Sequence, residues 1–538
     1  MAEQSPFYPA GVPSEIELDP NRTLVDLFND AVTDFQDAVA LESFGETMTF
    51  NRLDYLSAKF AAFLQDLGVR PGDRVALMSP NCLPFVVSMW GILRAGGIQV
   101  NVNPLYSPQE LKNQLVDADV DTIVIFSGST PTLAEIIDQT PVEKVIVFGL
   151  SDLLEKELPS SPIDERIVDA IHFATAMEKG TEAAFQDVEM NGSALAFLQY
   201  TGGTTGLSKG AVLSHGNLIA NVTQFLAYAG DRFKAGEEVI ITAIPMYHIF
   251  ALMVNAISFL ALGARNVLVT NPRDMDSFVA IFKSARPSVF AGVNTLYNGL
   301  LHHPEFASAD FSRLHFSVGG GAPVQAAVSA KWLEVTGCII NEGYGLSETS
   351  PVLTLNLGKD GEFNSGIGLP LPSTEISLRN DRMRPVETGD RGELCARGPQ
   401  VMQGYWRNEA ATADVMTEDG FFRTGDVAME DADGFYHIVD RLKDMVLVSG
   451  FNVYPNEIEA IVSGMDNILE CACIGVPDDK TGEAIKLFVV KTDDAITETD
   501  VIEYCRPRLA AYKVPKQIEF MSELPKSTVG KILRRELR

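Results

Sequence analysis

Over its first 300 or so residues the chain alternates short β-branched runs with amphipathic stretches, and this alternation narrows the fold more than any other feature. Residues 74–78, 98–102, 122–126, 144–148, 266–270 and 288–291 read as strands, and 84–93 as a helix between two of them. Strands separated by helical patterns predict βαβ units and largely parallel sheets, because a parallel partner needs a crossover long enough to hold a helix. The expected class is therefore α/β. At 538 residues the chain is too long for one core, so about three or four domain-sized units are expected.

The pattern changes twice. Around 379–392 the text becomes polar and turn-rich (RNDRMRPVETGDRG), which predicts a hairpin in a small β-subdomain. After Asp440 the expected elements are a strand at 445–448, a turn at Ser449-Gly450, a helix at 456–462, strands at 471–476 and 485–490, and a helix at 498–509. This reads as a compact α+β unit. The expected organisation is a large N-terminal domain over 1–440, a hinge at 441–443, and a small mobile C-terminal domain over 444–538.

A formal net charge of −30 argues against general nucleic-acid binding, which needs a basic surface, and against docking on an anionic membrane by charge alone. From Arg506 onward, nine Lys/Arg face three Glu, so this tail is locally basic and could meet phosphate, although a solvated basic surface is the plainer reading. The start MAEQSPFYPAG lacks a basic n-region and apolar run, so no signal peptide is expected. The apolar stretch 249–263 is broken by Asn255 and falls short of the roughly 20 residues of a membrane span, so a buried core helix is expected there. Six cysteines contain no C-x-x-C pair, and Cys471 and Cys473 alternate like one face of a strand rather than a metal site. A reduced, cytoplasmic setting is expected.

The most informative segment begins where the apolar strand 194–200 runs into Thr201-Gly202-Gly203-Thr204-Thr205-Gly206-Leu207-Ser208-Lys209-Gly210. Glycines let backbone N–H groups curve tightly around a phosphate, hydroxyls add neutral donors, and Lys209 adds a compact positive charge. A helical apolar face follows at Leu218, Ile219, Val222, Phe225 and Leu226. Strand, hydroxyl-rich loop and helix is a context for triphosphate binding. It is not a Walker A loop, since Ser208 precedes Lys209 and Gly210 follows it. A flexible surface loop is the competing reading. This segment resembles the phosphate-loop signature of the adenylate-forming superfamily, which includes acyl-CoA synthetases, peptide-synthetase adenylation domains and luciferases. Further motifs occur in the same order, so the resemblance runs from about residue 20 to the C-terminus.

The resemblance implies roles for the remaining motifs. In Asn341-Glu342-Gly343-Tyr344-Gly345-Leu346-Ser347-Glu348, Tyr344 would stack on adenine, Ser347 would meet the α-phosphate and Glu348 would hold Mg²⁺ with help from Thr201. Asp426 of Arg423-Thr-Gly-Asp would accept the ribose hydroxyls with Arg441 as partner, although a plain surface ion pair would give the same pattern. The loop with Gly320, Gly321 and Ala322 would let adenine and acyl chain pass close together; a simple turn is the alternative. Glu342, Gly343, Gly345 and Ile438 complete the implied nucleotide pocket. His248, which on its own reads as a core histidine, would sit at the mouth of the acyl pocket. Lys531 of Pro525-Lys-Ser-Thr-Val-Gly-Lys531 would bridge the substrate carboxylate and the α-phosphate. Gly450 and Phe451 would line the pantetheine tunnel, and Lys443 would be the hinge.

The implied chemistry is ATP-dependent activation of an acid as acyl-AMP, then transfer to coenzyme A. Stretches such as PMYHIFAL, GVNTLYN, GELCARGPQVMQGYW and VLVSGFNVYPNEIE are similar to bacterial long-chain fatty acid–CoA ligases. An aryl or medium-chain acid–CoA ligase is the alternative within the class. An adenylation domain loading a carrier protein is less expected, since no carrier sequence follows Arg538. From a different class, a non-catalytic acyl- or nucleotide-binding relative remains open. The implied cofactor and substrates are Mg²⁺, ATP, coenzyme A and a fatty acid. Peripheral association with the inner face of the cell membrane and a homodimer are left open.

Overall fold

The computed structural model describes residues 8, 10–201, 208–358, 366–478, 480–493, 495–527 and 530–538. Among these residues the strands form four sheets. The first runs Ile171–His172, Lys144–Phe148, Thr122–Phe126, Arg74–Met78, Ile98–Val102, Leu195–Thr201 and Lys209–Ser214, parallel throughout except for its last strand. The second places Val239–Thr242 between Arg265–Leu268 and Val289–Gly292, and continues in parallel through Phe316–Gly319 to Ile340–Gly345. Its antiparallel ends are Glu46–Thr49 on one side and Val352–Asn356 with Leu369–Pro370 on the other. The chain is thus of the α/β class, with a large N-terminal part and a smaller C-terminal one.

Helix Leu83–Arg94 is buried along its whole length, as its mostly apolar text (LPFVVSMWGILR) requires, with Arg94 at its end paired to Asp54 at 2.7 Å, and Pro84 in its first turn costs no helical hydrogen bond. Just before it, the buried Asn81 joins the two large sheets. Its amide donates to the carbonyls of Thr242 and Ile244 at 3.0 Å, and its Oδ1 accepts from the Met246 N–H at 2.8 Å. Satisfying three backbone groups with one amide fixes the approach of the loop that leads to His248.

Three elements differ from the sequence reading. The phosphate segment does not pass straight into a helix: Lys209–Ser214 folds back antiparallel on Leu195–Thr201 before helix His215–Ala229 begins. The short run Ala211–Leu213 is buried against its partner strand, and Ser214 with Asn217 forms a capping box that starts the helix only there. The apolar stretch after His248 is buried as expected, but Ala251–Ser258 is a π-helix, with only Phe259–Ala261 continuing as α-helix. In the C-terminal part the two central strands are longer than expected, Ile468–Asp478 and Gly482–Lys491, and helix Glu498–Cys505 is shorter.

The turn-rich text around 379–392 joins Glu375–Arg379 to Arg391–Arg397, and Phe422–Glu430 and Tyr436–Arg441 complete an antiparallel four-stranded sheet. The C-terminal sheet pairs Val446–Val448, Phe451–Val453, Gly482–Lys491 and Ile468–Asp478, with Gln517–Phe520 alongside. Cys471 and Cys473 lie on one face of it, inside a common apolar cluster with Ile458, Val462 and Val501. Among the described residues no helix is long and apolar enough to cross a membrane.

Candidate functional site

Thr201 ends one strand and Lys209 opens the next, and the two are register partners, so the chain leaves and re-enters the sheet at one point. Gly202, Gly203, Thr204, Thr205 and Gly206 lie outside the described residues. Lys209 Nζ sits 5.0 Å from the centre of the Tyr405 ring, over its face.

The turn Ser347–Thr349 packs against both of these strands. It carries Glu348, a buried carboxylate whose Oε1 accepts from the Tyr405 hydroxyl at 2.7 Å. Burial raises the Glu348 carboxyl above its usual range, and the Tyr405 hydrogen bond opposes that rise. A cavity of about 280 Å³ opens beside it, lined by Glu348, Tyr405, Thr424, Gly425 and Leu442 among others.

Strand Ile340–Gly345 carries the rest of the motif. Tyr344 donates its hydroxyl to Asp426 Oδ2 at 2.7 Å, and Arg441 Nε stands 3.4 Å from Asp426 Oδ1. Asp426 and Arg441 face each other directly in neighbouring antiparallel strands, so their pairing is built into the sheet register. Tyr344 and Ile438 pack on one apolar cluster with Leu353, Leu378 and Leu394.

The glycine loop that follows Phe316–Gly319 lies close to this strand. A Cβ on Gly320 would stand 3.2 Å from the Gly343 carbonyl and 3.2 Å from the Phe250 ring, and Gly321 takes a positive φ of 76°. A larger residue at Gly320 would require the Gly343 carbonyl or the Phe250 ring to give way by a few tenths of an ångström. Glu342 Oε1 accepts from the Val324 N–H at 2.8 Å, at the far end of the loop that includes Ala322, and burial pushes this carboxyl up to about 7. A Cβ on Gly343 would make ordinary contacts of 3.7 Å or more, whereas a Cβ on Gly345 would overlap the Pro351 carbonyl oxygen.

From the C-terminal part, the turn bearing Lys531 reaches into this region. Gly530, at φ 77°, packs so closely on helix Asn294–His302 that a Cβ there would collide with Thr295 Oγ1. Lys531 is held in the turn by its own N–H to Ser527 Oγ at 3.1 Å and by its carbonyl, which accepts from the Ser527 N–H at 2.7 Å. Burial and the Arg441 guanidinium push the Lys531 ammonium down to about 7, with Asp426 acting in the opposite direction. Burial, reinforced by the Lys531 charge, pushes the His248 imidazole down to about 4, so it is neutral at physiological pH. Burial and Arg441 also lower Lys443.

The structure therefore brings Lys209, Glu348, Tyr344, Asp426, Arg441, His248 and Lys531 to one region. It does not bring Gly450 and Phe451 there. Their hairpin faces solvent, with Phe451 56% exposed and stacked on Tyr512 at 4.8 Å. Two residues without an assigned role in the sequence reading also stand out. Tyr405 joins Glu348 to Lys209. Arg534 ties the tail after Lys531 to Glu459 at 2.7 Å, Asn456 at 2.5 Å and Asp444 at 3.4 Å. The signal for Arg534 was available in the basic tail, but its partners are scattered along the chain.

Residues 28–406 match the model of the AMP-binding enzyme family, and residues 457–531 match that of the AMP-binding enzyme C-terminal domain. The chain belongs to the AMP-binding enzyme family. It is 48% identical to the long-chain-fatty-acid–CoA ligase of Salmonella typhimurium, over 99% of this chain and 97% of that one. Among solved structures it resembles the anthranilate CoA ligase AuaEII in complex with anthranoyl-AMP, with a TM-score of 0.88 and 26% identity over 97% of each chain. It also resembles ATP-bound MatB from Rhodopseudomonas palustris, with a TM-score of 0.84 and 30% identity over 96% of this chain and 98% of that one.

The donor set suits Mg²⁺ of the kind that travels with a nucleotide. Among the described residues no group of three or more His, Cys, Asp or Glu could cage a metal ion. One buried carboxylate, Glu348, next to the strands that end at Thr201 and begin at Lys209 would leave phosphate oxygens and water to complete the shell.

Proposed function

We propose that this AMP-binding enzyme is a long-chain fatty acid–CoA ligase that converts fatty acid, ATP and CoA to acyl-CoA, AMP and diphosphate through an acyl-adenylate. The observation that carries the reading is the placement of the buried Lys531 within electrostatic reach of the Asp426–Arg441 pair and of His248, together with near-full-length similarity to a ligase of that name.

A carboxylate is a poor acyl donor because oxide would have to leave. Attack of its oxygen on the ATP α-phosphorus forms a mixed anhydride and expels diphosphate; the CoA thiol then attacks the acyl carbon and AMP leaves. The protein contributes position and charge. Asp426 accepts the ribose hydroxyls, with Arg441 holding it, while the shared apolar face of Tyr344 and Ile438 supports the adenine. Thr201, Lys209 and the glycine-rich loop receive the phosphates. Ser347 meets the α-phosphate, and Glu348 with Thr201 would hold Mg²⁺, which supplies positive charge against the triphosphate. Lys531 spans the acid carboxylate and the α-phosphate. Burial and Arg441 hold it at about 7, and two anions alongside would raise it, so the ammonium forms as the reactants assemble. Neutral His248 positions the acid without competing for that charge. Lys443 is the hinge about which the domain 444–538 turns between the two steps.

A fatty acid rather than an aryl acid is favoured by the similarity: 48% to the long-chain ligase against 34% to a feruloyl-CoA synthase of Amycolatopsis. Incubation with Mg·ATP, CoA and acids from acetate to oleate, plus coumarate and benzoate, with AMP release as readout, tests this. Each methylene removed from water contributes about 0.8 kcal/mol, so kcat/KM should climb about fourfold per carbon until the chain fills its site. A maximum on an aryl or short acid would retain the chemistry and replace the substrate. Absence of AMP with every acid, despite nucleotide binding, would overturn the ligase reading.

A further inference from the structure

The stretch GELCARGPQVMQGYW ends in Tyr405 and Trp406, and the fold gives that end a placement its sequence does not explain. Residues 402–406 are stitched to two different pieces of the site. On one side they pair with the strand that begins at Lys209: Gln403 N–H donates to the Val212 carbonyl at 3.1 Å, Val212 N–H to the Gly404 carbonyl at 2.9 Å, and Trp406 N–H to the Gly210 carbonyl at 2.8 Å. On the other side Met402 N–H donates to the Glu348 carbonyl at 2.7 Å. The segment is thus a backbone brace between the re-entry point of the phosphate loop and the turn that carries the buried carboxylate.

Tyr405 repeats this bridge with its side chain. Its hydroxyl donates to Glu348 Oε1 at 2.7 Å, and its ring lies under Lys209 Nζ at 5.0 Å. One side chain therefore engages both charged groups through different chemistry, a hydrogen bond at one end and a cation–π contact on its face. Tyr405 also forms a wall common to two cavities, the one beside Glu348 and a second lined by Val212, Gln403, Trp406 and Thr412.

We propose that Tyr405 is a positioning residue that sets Glu348 and Lys209 at a fixed separation, so that a nucleoside triphosphate and its divalent cation meet a preformed pair of opposite charges. This rests on the reading of the site as an ATP site. The hydrogen bond occupies one Glu348 oxygen and turns the other toward the cavity, while the ring limits where the Lys209 ammonium can stand. Tyr405 touches neither the acid nor CoA on this reading, so its effect is confined to the nucleotide and its metal.

Two substitutions separate the two contacts. Tyr405→Phe keeps the ring under Lys209 and removes the donor to Glu348; Tyr405→Leu removes both. Calorimetric titration of ATP into each protein at a series of Mg²⁺ concentrations, and Mn²⁺ binding followed by paramagnetic resonance, give readouts independent of turnover. For Tyr405→Phe the expected result is an increase of about tenfold in the divalent-ion concentration needed for half-maximal ATP binding. ATP affinity at saturating Mg²⁺ and KM for the acid should stay within about twofold of wild type. For Tyr405→Leu, ATP affinity at saturating Mg²⁺ should fall as well, by roughly fivefold. Unchanged divalent-ion dependence in Tyr405→Phe, or tighter Mn²⁺ binding, overturns the proposal. So does a parallel loss of ATP and acid affinity with a lowered Tm, which marks a purely structural residue. A wild-type protein that binds no ATP at all would instead overturn the site reading beneath it.

Discussion

Two glycine turns of the C-terminal part share a backbone conformation and little else. Gly530 has φ 77° and Gly450 has φ 83°. Gly530 is pressed against Thr295, with the buried Lys531 beside it within electrostatic reach of Asp426, Arg441 and His248. Around Gly450 an added Cβ would meet nothing within 4 Å, and the neighbouring Phe451 is open to solvent. One turn is docked and the other is not. If the small domain carries two motif sets as proposed, it can present only one at a time, and the packed turn here is the one with Lys531. On the proposed reading that face serves adenylate formation, and the Gly450 face serves thioester formation after rotation about Lys443.

The comparison breaks most sharply at Lys531. Lys531→Ala should lower adenylate formation by about 10³-fold, measured as acid-dependent exchange of labelled diphosphate into ATP, because a charge aimed at the transition state is removed. Thioester formation from supplied acyl-AMP should stay close to wild type. Equal loss in both half-reactions would mean that the two faces are not functionally separate.

Gly450→Leu should give the converse with a smaller effect. Adenylate formation should persist while CoA-dependent turnover falls by about 10²-fold and acyl-AMP accumulates, because a side chain would obstruct the thiol's approach. The positive φ adds about 1 kcal/mol of strain, visible as a modest fall in Tm rather than unfolding. Normal thioester formation in this variant would remove Gly450 from the tunnel.

A subtler effect concerns protons. With Lys531 at about 7 in the protein alone, the group is largely neutral at pH 8 and largely charged at pH 6. Binding of Mg·ATP and a fatty acid anion should raise that value, so the complex should take up most of one proton at pH 8 and much less at pH 6. Calorimetry in buffers of different ionisation enthalpy reads this directly. The difference should shrink markedly in Lys531→Met, leaving the part due to Glu342, and remain in full in Gly450→Leu.

The parallel core was legible because its strands are short β-branched runs bounded by turn residues. Arg74–Met78, Ile98–Val102, Thr122–Phe126 and Lys144–Phe148 coincide with the text-based ranges residue for residue. Lys209–Ser214 was not legible as a strand because its apolar run is short and merges into a helical pattern; only the Ser214 cap separates them. The π-helix Ala251–Ser258 leaves no trace in a text that is apolar at nearly every position, since periodicity needs polar positions to show itself. The Asp426–Arg441 pair could be anticipated from two motifs, and its register supplies the physical reason. The nearness of Lys531 to His248, the Tyr405 bridge and the Arg534 network depend on tertiary packing between distant segments, for which a single sequence carries no local signal.

The separation of the two faces can be tested by holding the first one in place. A Cβ built on Gly530 lies 3.4 Å from Thr295 Cβ, close to the roughly 3.5–4.5 Å spanned by a disulfide. The doubly substituted Thr295→Cys, Gly530→Cys protein, with the six native cysteines all buried, can be assayed oxidised and then reduced. The expected result is that the oxidised protein forms acyl-AMP and releases diphosphate but makes no acyl-CoA, and that reduction restores acyl-CoA synthesis. Acyl-CoA formation at the same rate before and after reduction would contradict the requirement that the small domain leave this position between the two steps.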